Sequence, residues 1–190
     1  MPHRHLAAAL VVLLVLGTGV AAARTVRGTS RGEKIVGTSG KDRLYGRGGA
    51  DRITALRGND LLYGGTGNDK LHGSSGRDRV NGDSGDDQLY GDRDADRVSG
   101  GTGDDRLFGG LGDDVLVGGS GADDFNIGLD GNRFGGSGDD TIIARDGVPD
   151  TINCGEGNDV AVVDTEENGI YDCETVHQPA GVKDEEKPAP

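Results

Sequence analysis

Gly64-Gly65-Thr66-Gly67-Asn68-Asp69-Lys70-Leu71-His72 runs without a gap into Gly73-Ser74-Ser75-Gly76-Arg77-Asp78-Arg79-Val80-Asn81. Gly82-Asp83-Ser84-Gly85-Asp86-Asp87-Gln88-Leu89-Tyr90 follows directly. Each nonapeptide is a glycine-rich turn, then an acid, then one apolar residue between two outer neighbours. The register extends outward from this stretch to Gly28 and to Asn126. Its sixth position is Glu33, Asp42, Asp51, Asp60, Asp69, Asp78, Asp87, Asp96, Asp105, Asp114 and Asp123. Its eighth is Ile35, Leu44, Ile53, Leu62, Leu71, Val80, Leu89, Val98, Leu107, Leu116 and Phe125. Acids and apolar residues held in one register over this length are a repeat and not an accident of composition.

Positions seven to nine read as a short strand. Side chains alternate faces along a strand, so position eight points to one side and its neighbours to the other. Position seven is often basic (Lys34, Arg43, Arg52, Lys70, Arg79, Arg97, Arg106), as a solvated flank requires. Positions one and four are mostly glycine, and position two is glycine in several units (Gly65, Gly101, Gly110, Gly119), which permits φ > 0 and close approach of backbones. Position five is often Asn or Asp (Asn59, Asn68, Asp86, Asp104, Asp113), residues that tolerate the left-handed region.

The unit Gly-Gly-x-Gly-x-Asp-x-apolar-x resembles the RTX (haemolysin-type) calcium-binding nonapeptide repeat. The resemblance covers residues 28–126 closely and continues more loosely to about 162. It implies an all-β fold, a right-handed parallel β-roll in which two units form one coil. It also implies a bacterial, secreted calcium-binding protein. Loops on one edge of such a roll are 18 residues apart, which groups Glu33, Asp51, Asp69, Asp87, Asp105 and Asp123. The other edge carries Asp42, Asp60, Asp78, Asp96 and Asp114. Neighbouring strands lie ~4.8 Å apart, so unscreened columns of carboxylates would repel. Hard divalent cations held by carboxylate and loop carbonyl oxygens reverse the sign. About nine interloop calcium sites at most are expected in this stretch. The expected side-chain ligands are Asp42, Asp51, Asp60, Asp69, Asp78, Asp87, Asp96, Asp105, Asp114 and Asp123, with Asp140 and Asp159 further on. Three loops depart from the pattern and are expected to bind weakly or not at all. One has Arg31 and Glu33, one lacks two glycines (Ala55-Leu56-Arg57), and one has Asp94 for Gly.

Met1-Pro2-His3-Arg4-His5, an apolar run from Leu6 to Val20 and Ala21-Ala22-Ala23 read as a secretory signal peptide over 1–23. Its removal leaves 19 basic against 33 acidic residues, a net charge of −14. With 37 glycines and 33% hydrophobic residues, such a chain buries too little apolar surface to offset its conformational entropy. Metal binding is therefore expected to be coupled to folding. The two cysteines, Cys154 and Cys173, favour a disulfide in an exported chain.

Residues 24–126 form the repeat domain, and 127–144 hold an insertion plus a further unit at Gly135–Ile143. Residues 145–176 read as degenerate repeats and a C-terminal cap, which a solenoid needs to cover its last edge. Residues 177–190 read as a disordered tail. Asp164-Thr165-Glu166-Glu167-Asn168-Gly169 resembles the start of an EF-hand loop. The closing Glu would fall at Thr175, so a polar turn is expected.

The chain shows no nucleophile motif: Gly118-Gly119-Ser120-Gly121-Ala122 lacks the last Gly of a Gly-x-Ser-x-Gly elbow and belongs to the repeat. The acidic balance argues against nucleic acid as a partner, and no segment after the leader could insert in a membrane. The expectation is a stand-alone, monomeric, non-catalytic calcium-binding protein outside the cell. The alternative is a calcium-stabilised carbohydrate-binding or adhesion module. It would use Tyr45, Tyr63, His72, Tyr90 and Phe108 as stacking platforms for a surface glycan, unless these outward rings merely ladder along the sheets.

Overall fold

The computed structural model describes residues 22–126, 138–163 and 169–178. Most of the expected leader, the break at 127–134, the start of the unit at Gly135, the turn at 164–168 and most of the tail lie outside these residues.

Every regular element among the described residues is a strand. The first twelve are β1 (Thr25–Arg27), β2 (Lys34–Val36), β3 (Arg43–Gly48), β4 (Arg52–Thr54), β5 (Leu61–Thr66), β6 (Lys70–Ser75), β7 (Arg79–Ser84), β8 (Gln88–Arg93), β9 (Arg97–Thr102), β10 (Arg106–Leu111), β11 (Val115–Ser120) and β12 (Asp124–Asn126). The last five are β13 (Thr141–Ala144), β14 (Thr151–Asn153), β15 (Val160–Val163), β16 (Gly169–Tyr171) and β17 (Thr175–His177). Odd-numbered strands make one sheet in chain order and even-numbered strands make the other. All pairings are parallel and in register, as in Leu44↔Leu62, Leu62↔Val80 and Leu71↔Leu89. Two nonapeptides therefore make one coil, and the described chain is a parallel β-solenoid of about eight turns.

The central strands are longer than the three residues that the hydrophobic pattern indicates. From β5 to β11 each runs on through positions one to three of the next unit. The alternation explains this. Position eight is buried, position nine is half-buried, and position one is buried again, so its glycine faces inward. A glycine carries no hydrophobic signal, so the pattern of apolar residues cannot report it.

Position-eight side chains from both sheets form the single core, with Leu44, Ile53, Leu62, Leu71, Val80, Leu89, Leu107, Leu116 and Phe125 fully enclosed. The core continues through Ile142, Ile152 and Ala161. Each coil adds only two such residues, so each carries much of its coil's apolar burial. Leu89→Ala is expected to cost about 2–5 kcal/mol, read as a fall in the urea midpoint in saturating calcium. A cost within experimental error would show that the two sheets collapse onto the gap.

The last coils are tied by a disulfide between Cys154 and Cys173, Cα atoms 5.0 Å apart. Cys154 is fully buried at the inward position that glycine takes in the regular units. The crosslink closes a short loop, worth roughly 3 kcal/mol in the chain-entropy model.

Candidate metal centres

The turns between strands bring the position-six acids into two columns along the solenoid edges. Each column is joined by one repeated hydrogen bond. The backbone N–H of each acid donates to Oδ1 of the acid one coil further on. In the first column Glu33 donates to Asp51, Asp51 to Asp69, Asp69 to Asp87, Asp87 to Asp105, and Asp105 to Asp123, at 2.7–2.9 Å. In the second, Asp42 donates to Asp60, Asp60 to Asp78, Asp78 to Asp96, and Asp96 to Asp114, at 2.6–2.7 Å.

Both columns pass the break in the repeat. Asp123 N–H donates to Asp150, and Asp114 N–H donates to Asp140. Asp140 then donates to Asp159, and Asp159 to Oε2 of Glu174. Asp150 and Glu174 were absent from the expected ligand set. Asp150 had a signal, its spacing two residues before inward Ile152. Glu174 stands two residues before Val176 in the same way, but the final coil is short and Glu174 follows Asp159 by 15 residues instead of 18.

These aspartates are all buried, 3% exposed or less. In Asp51, Asp60, Asp69, Asp78, Asp87, Asp96, Asp105, Asp114, Asp123, Asp140 and Asp159 the second oxygen, Oδ2, has no hydrogen-bond partner. A buried carboxylate oxygen left unpaired is costly. Burial, the largest cause, pushes the carboxyls up, to about 6 for Asp51 and Asp60 and about 7 for Asp78, Asp87, Asp105, Asp114, Asp123 and Asp140. Asp96 is pushed to about 8, with the Asp114, Asp78 and Asp92 charges adding to burial. Hydrogen bonding from the preceding coil's backbone opposes the rise in every case.

The glycines make this crowding possible. A Cβ on Gly64 would overlap Asp69 Oδ2 and approach the Gly82 carbonyl oxygen. Gly82 stands likewise to Asp87 and Gly100, and Gly91 to Asp96 and Gly109. Carboxylate and carbonyl oxygens thus converge beside position one. Positions two and four have φ > 0, for example Gly65, Gly67, Gly85 and Gly103. Position five does not, contrary to expectation. Its Asn and Asp side chains instead form an outer ladder, with Asp86 N–H donating to Asn68 Oδ1 and Asp104 N–H to Asp86 Oδ1.

Among the described residues no three His, Cys, Asp or Glu side chains gather closely enough to hold a metal by themselves. The oxygens that converge beside position one are a carboxylate Oδ2 and a loop carbonyl of the next coil, both hard donors. That set suits calcium, which accepts many oxygen ligands in flexible geometry. Two of the three irregular loops keep the common form. Asp94 takes φ +72° in place of glycine, and Asp60 and Asp96 retain the unpaired Oδ2.

The outward rings stack on one another. Tyr45 and Tyr63 lie 5.1 Å apart, His72 and Tyr90 4.3 Å, and Tyr90 and Phe108 4.5 Å, all within 12° of parallel. Arg27 covers Tyr45, and Lys70 lies over the Tyr90 ring. These faces stack coil on coil along the solenoid, which is the ladder arrangement.

The family model for the RTX calcium-binding nonapeptide repeat matches residues 27–62, 54–89, 63–98, 90–125 and 134–161. Neither the curated proteins nor the solved structures gave a match.

Proposed function

The chain belongs to the RTX calcium-binding nonapeptide repeat family, whose repeats bind calcium in a β-roll, and we propose that its two aspartate columns carry this binding and couple it to folding. The observation that carries the reading is the row of buried, unpaired Oδ2 atoms. Asp51, Asp69, Asp87, Asp105 and Asp123 on one edge would hold calcium with the loop carbonyls beside them. Asp60, Asp78, Asp96, Asp114, Asp140 and Asp159 would do so on the other. Bound calcium supplies the positive charge that lets these carboxylates remain ionised out of water. The aspartates' part is to offer one oxygen to the cation while the other anchors the preceding coil's N–H. Each carboxylate therefore links ion binding to coil stacking.

The protein is read as secreted and non-catalytic. The basic start, apolar run and Ala21-Ala22-Ala23 support export, and extracellular calcium modules work at ~0.1–1 mM. Residues 24–126 serve as the binding array and 145–176 as its cap. The acids are committed to the backbone ladder, and His72 sits in the aromatic row bonded to Asp92. This placement supports a binding role over acid–base chemistry.

Calorimetric titration of the full chain with calcium, with magnesium in parallel, tests the reading. Uptake of several calcium ions is expected, with the heat of folding accompanying it. Magnesium, which demands near-octahedral geometry and dehydrates reluctantly, is expected to give little heat. Absence of calcium uptake would end the proposal.

A further inference from the structure

The first loop of each column differs from the rest. In the later loops position two has φ > 0: +80° at Arg47, +85° at Leu56, +108° at Gly65, +82° at Ser74, +75° at Asp83 and +82° at Asp92. Thr29 and Thr38 occupy position two of the first two loops, and neither takes that conformation. A β-branched residue with φ > 0 is strongly disfavoured. The sign of φ here sets which side of the peptide before position two faces the loop's own carboxylate.

In the threonine loops the N–H faces it. Thr38 N–H and its hydroxyl both donate to Asp42 Oδ2, at 2.5 and 2.9 Å, while Arg24 N–H donates to Oδ1 at 2.7 Å. Thr29 N–H donates to Glu33 Oε2 at 2.7 Å, and its hydroxyl to Oε1 at 3.0 Å. Asp42 is as buried as the aspartates after it, yet its Oδ2 is not left unpaired. Hydrogen-bond donors on this carboxylate occupy the lone pairs that a cation would need.

We propose that Thr29 and Thr38 close the first loop of each column to calcium, so that the cation rows begin at Asp51 and Asp60. The two closed loops form a metal-independent N-terminal cap. They satisfy each column's first carboxylate from within its own loop, and Arg24 N–H adds the bond from the preceding strand to Asp42. The inference rests on the calcium reading of the columns and adds which loops are excluded from it.

The test is the number of calcium ions bound per full chain, measured by equilibrium dialysis and elemental analysis, with β-structure checked in calcium. Thr38→Gly frees position two to adopt φ > 0 and is expected to bind one ion more than the wild type. Thr38→Val keeps the β-branch and the N–H and is expected to bind the same number as the wild type. Asp42→Asn, which needs no refolded loop, is expected to leave the number unchanged, whereas Asp60→Asn lowers it. An unchanged count in Thr38→Gly, or a lower one in Asp42→Asn, overturns the proposal. A wild-type chain that binds no calcium overturns the underlying reading as well, and is distinguishable because Asp60→Asn then changes nothing.

Discussion

In excess chelator the chain is expected to lose its β-structure at pH 8, to regain it as the pH falls to about 5, and to regain it at pH 8 when calcium is added. The pH arm follows from the raised carboxyls. Asp78, Asp87, Asp105, Asp114, Asp123 and Asp140 titrate at about 7 in the metal-free fold, and Asp96 at about 8. In the unfolded chain an aspartate titrates near 4. Between these values the folded state binds more protons than the unfolded state, so stability falls as pH rises. The contribution is fully present below about pH 4 and lost by about pH 8. Ordinary salt-bridged carboxylates give the opposite slope.

A glycine-rich chain with two core residues per coil has little stability in reserve. Accumulating charge on both columns is therefore expected to unfold it, and calcium replaces the proton as the neutralising species. Far-UV circular dichroism across pH 5–8, with and without chelator, reads all three arms. A spectrum that stays β-rich in chelator at pH 8 would mean that the columns impose no penalty, and the coupling of metal to folding would fall.

The second large effect is expected at position four. Gly85 has φ +123°, and a Cβ there would overlap the Gly67 carbonyl of the preceding coil. Any Cβ at Gly85 meets that overlap, and Gly85→Val adds a β-branched residue in a conformation it disfavours, for an expected cost of roughly 2–4 kcal/mol. The calcium concentration for half-folding should rise several-fold. Gly85→Asn is expected to cost much less. Asp94 occupies the same position in its loop at φ +72° and turns its carboxylate to the Gly76 N–H at 2.9 Å. The ranking wild type, Asn, Val is the check. If Val is as mild as Asn, backbone conformation does not control these turns.

The irregular loops show what the sequence pattern reports and what it does not. Asp94 looks like a defect because glycine is the common residue, yet Asp is among the few residues that tolerate the left-handed region. Loop 37–42 looks regular, since Thr38 interrupts neither the glycine nor the acid register. It is nevertheless the loop whose acid is already satisfied, because a β-branched side chain turns one peptide over. A motif weighted by residue identity misses both, whereas φ preference at positions two and four separates them.

The period itself determined the solenoid. Nine residues with one apolar position bury that position when coil stacks on coil, and the two units per coil that the resemblance to the RTX repeat implies put the acids 18 residues apart in columns. Those consequences are local and repetitive, so the sequence carried them alone. Only the tertiary structure decided which carboxylate oxygens are left unpaired. It also decided that position five builds a ladder instead of a left-handed turn, and that the columns cross the break to Asp150 and Glu174. Each depends on which way a peptide or side chain faces once two coils lie within hydrogen-bonding distance. That choice is made between residues 15 to 27 apart, beyond the span of one nonapeptide.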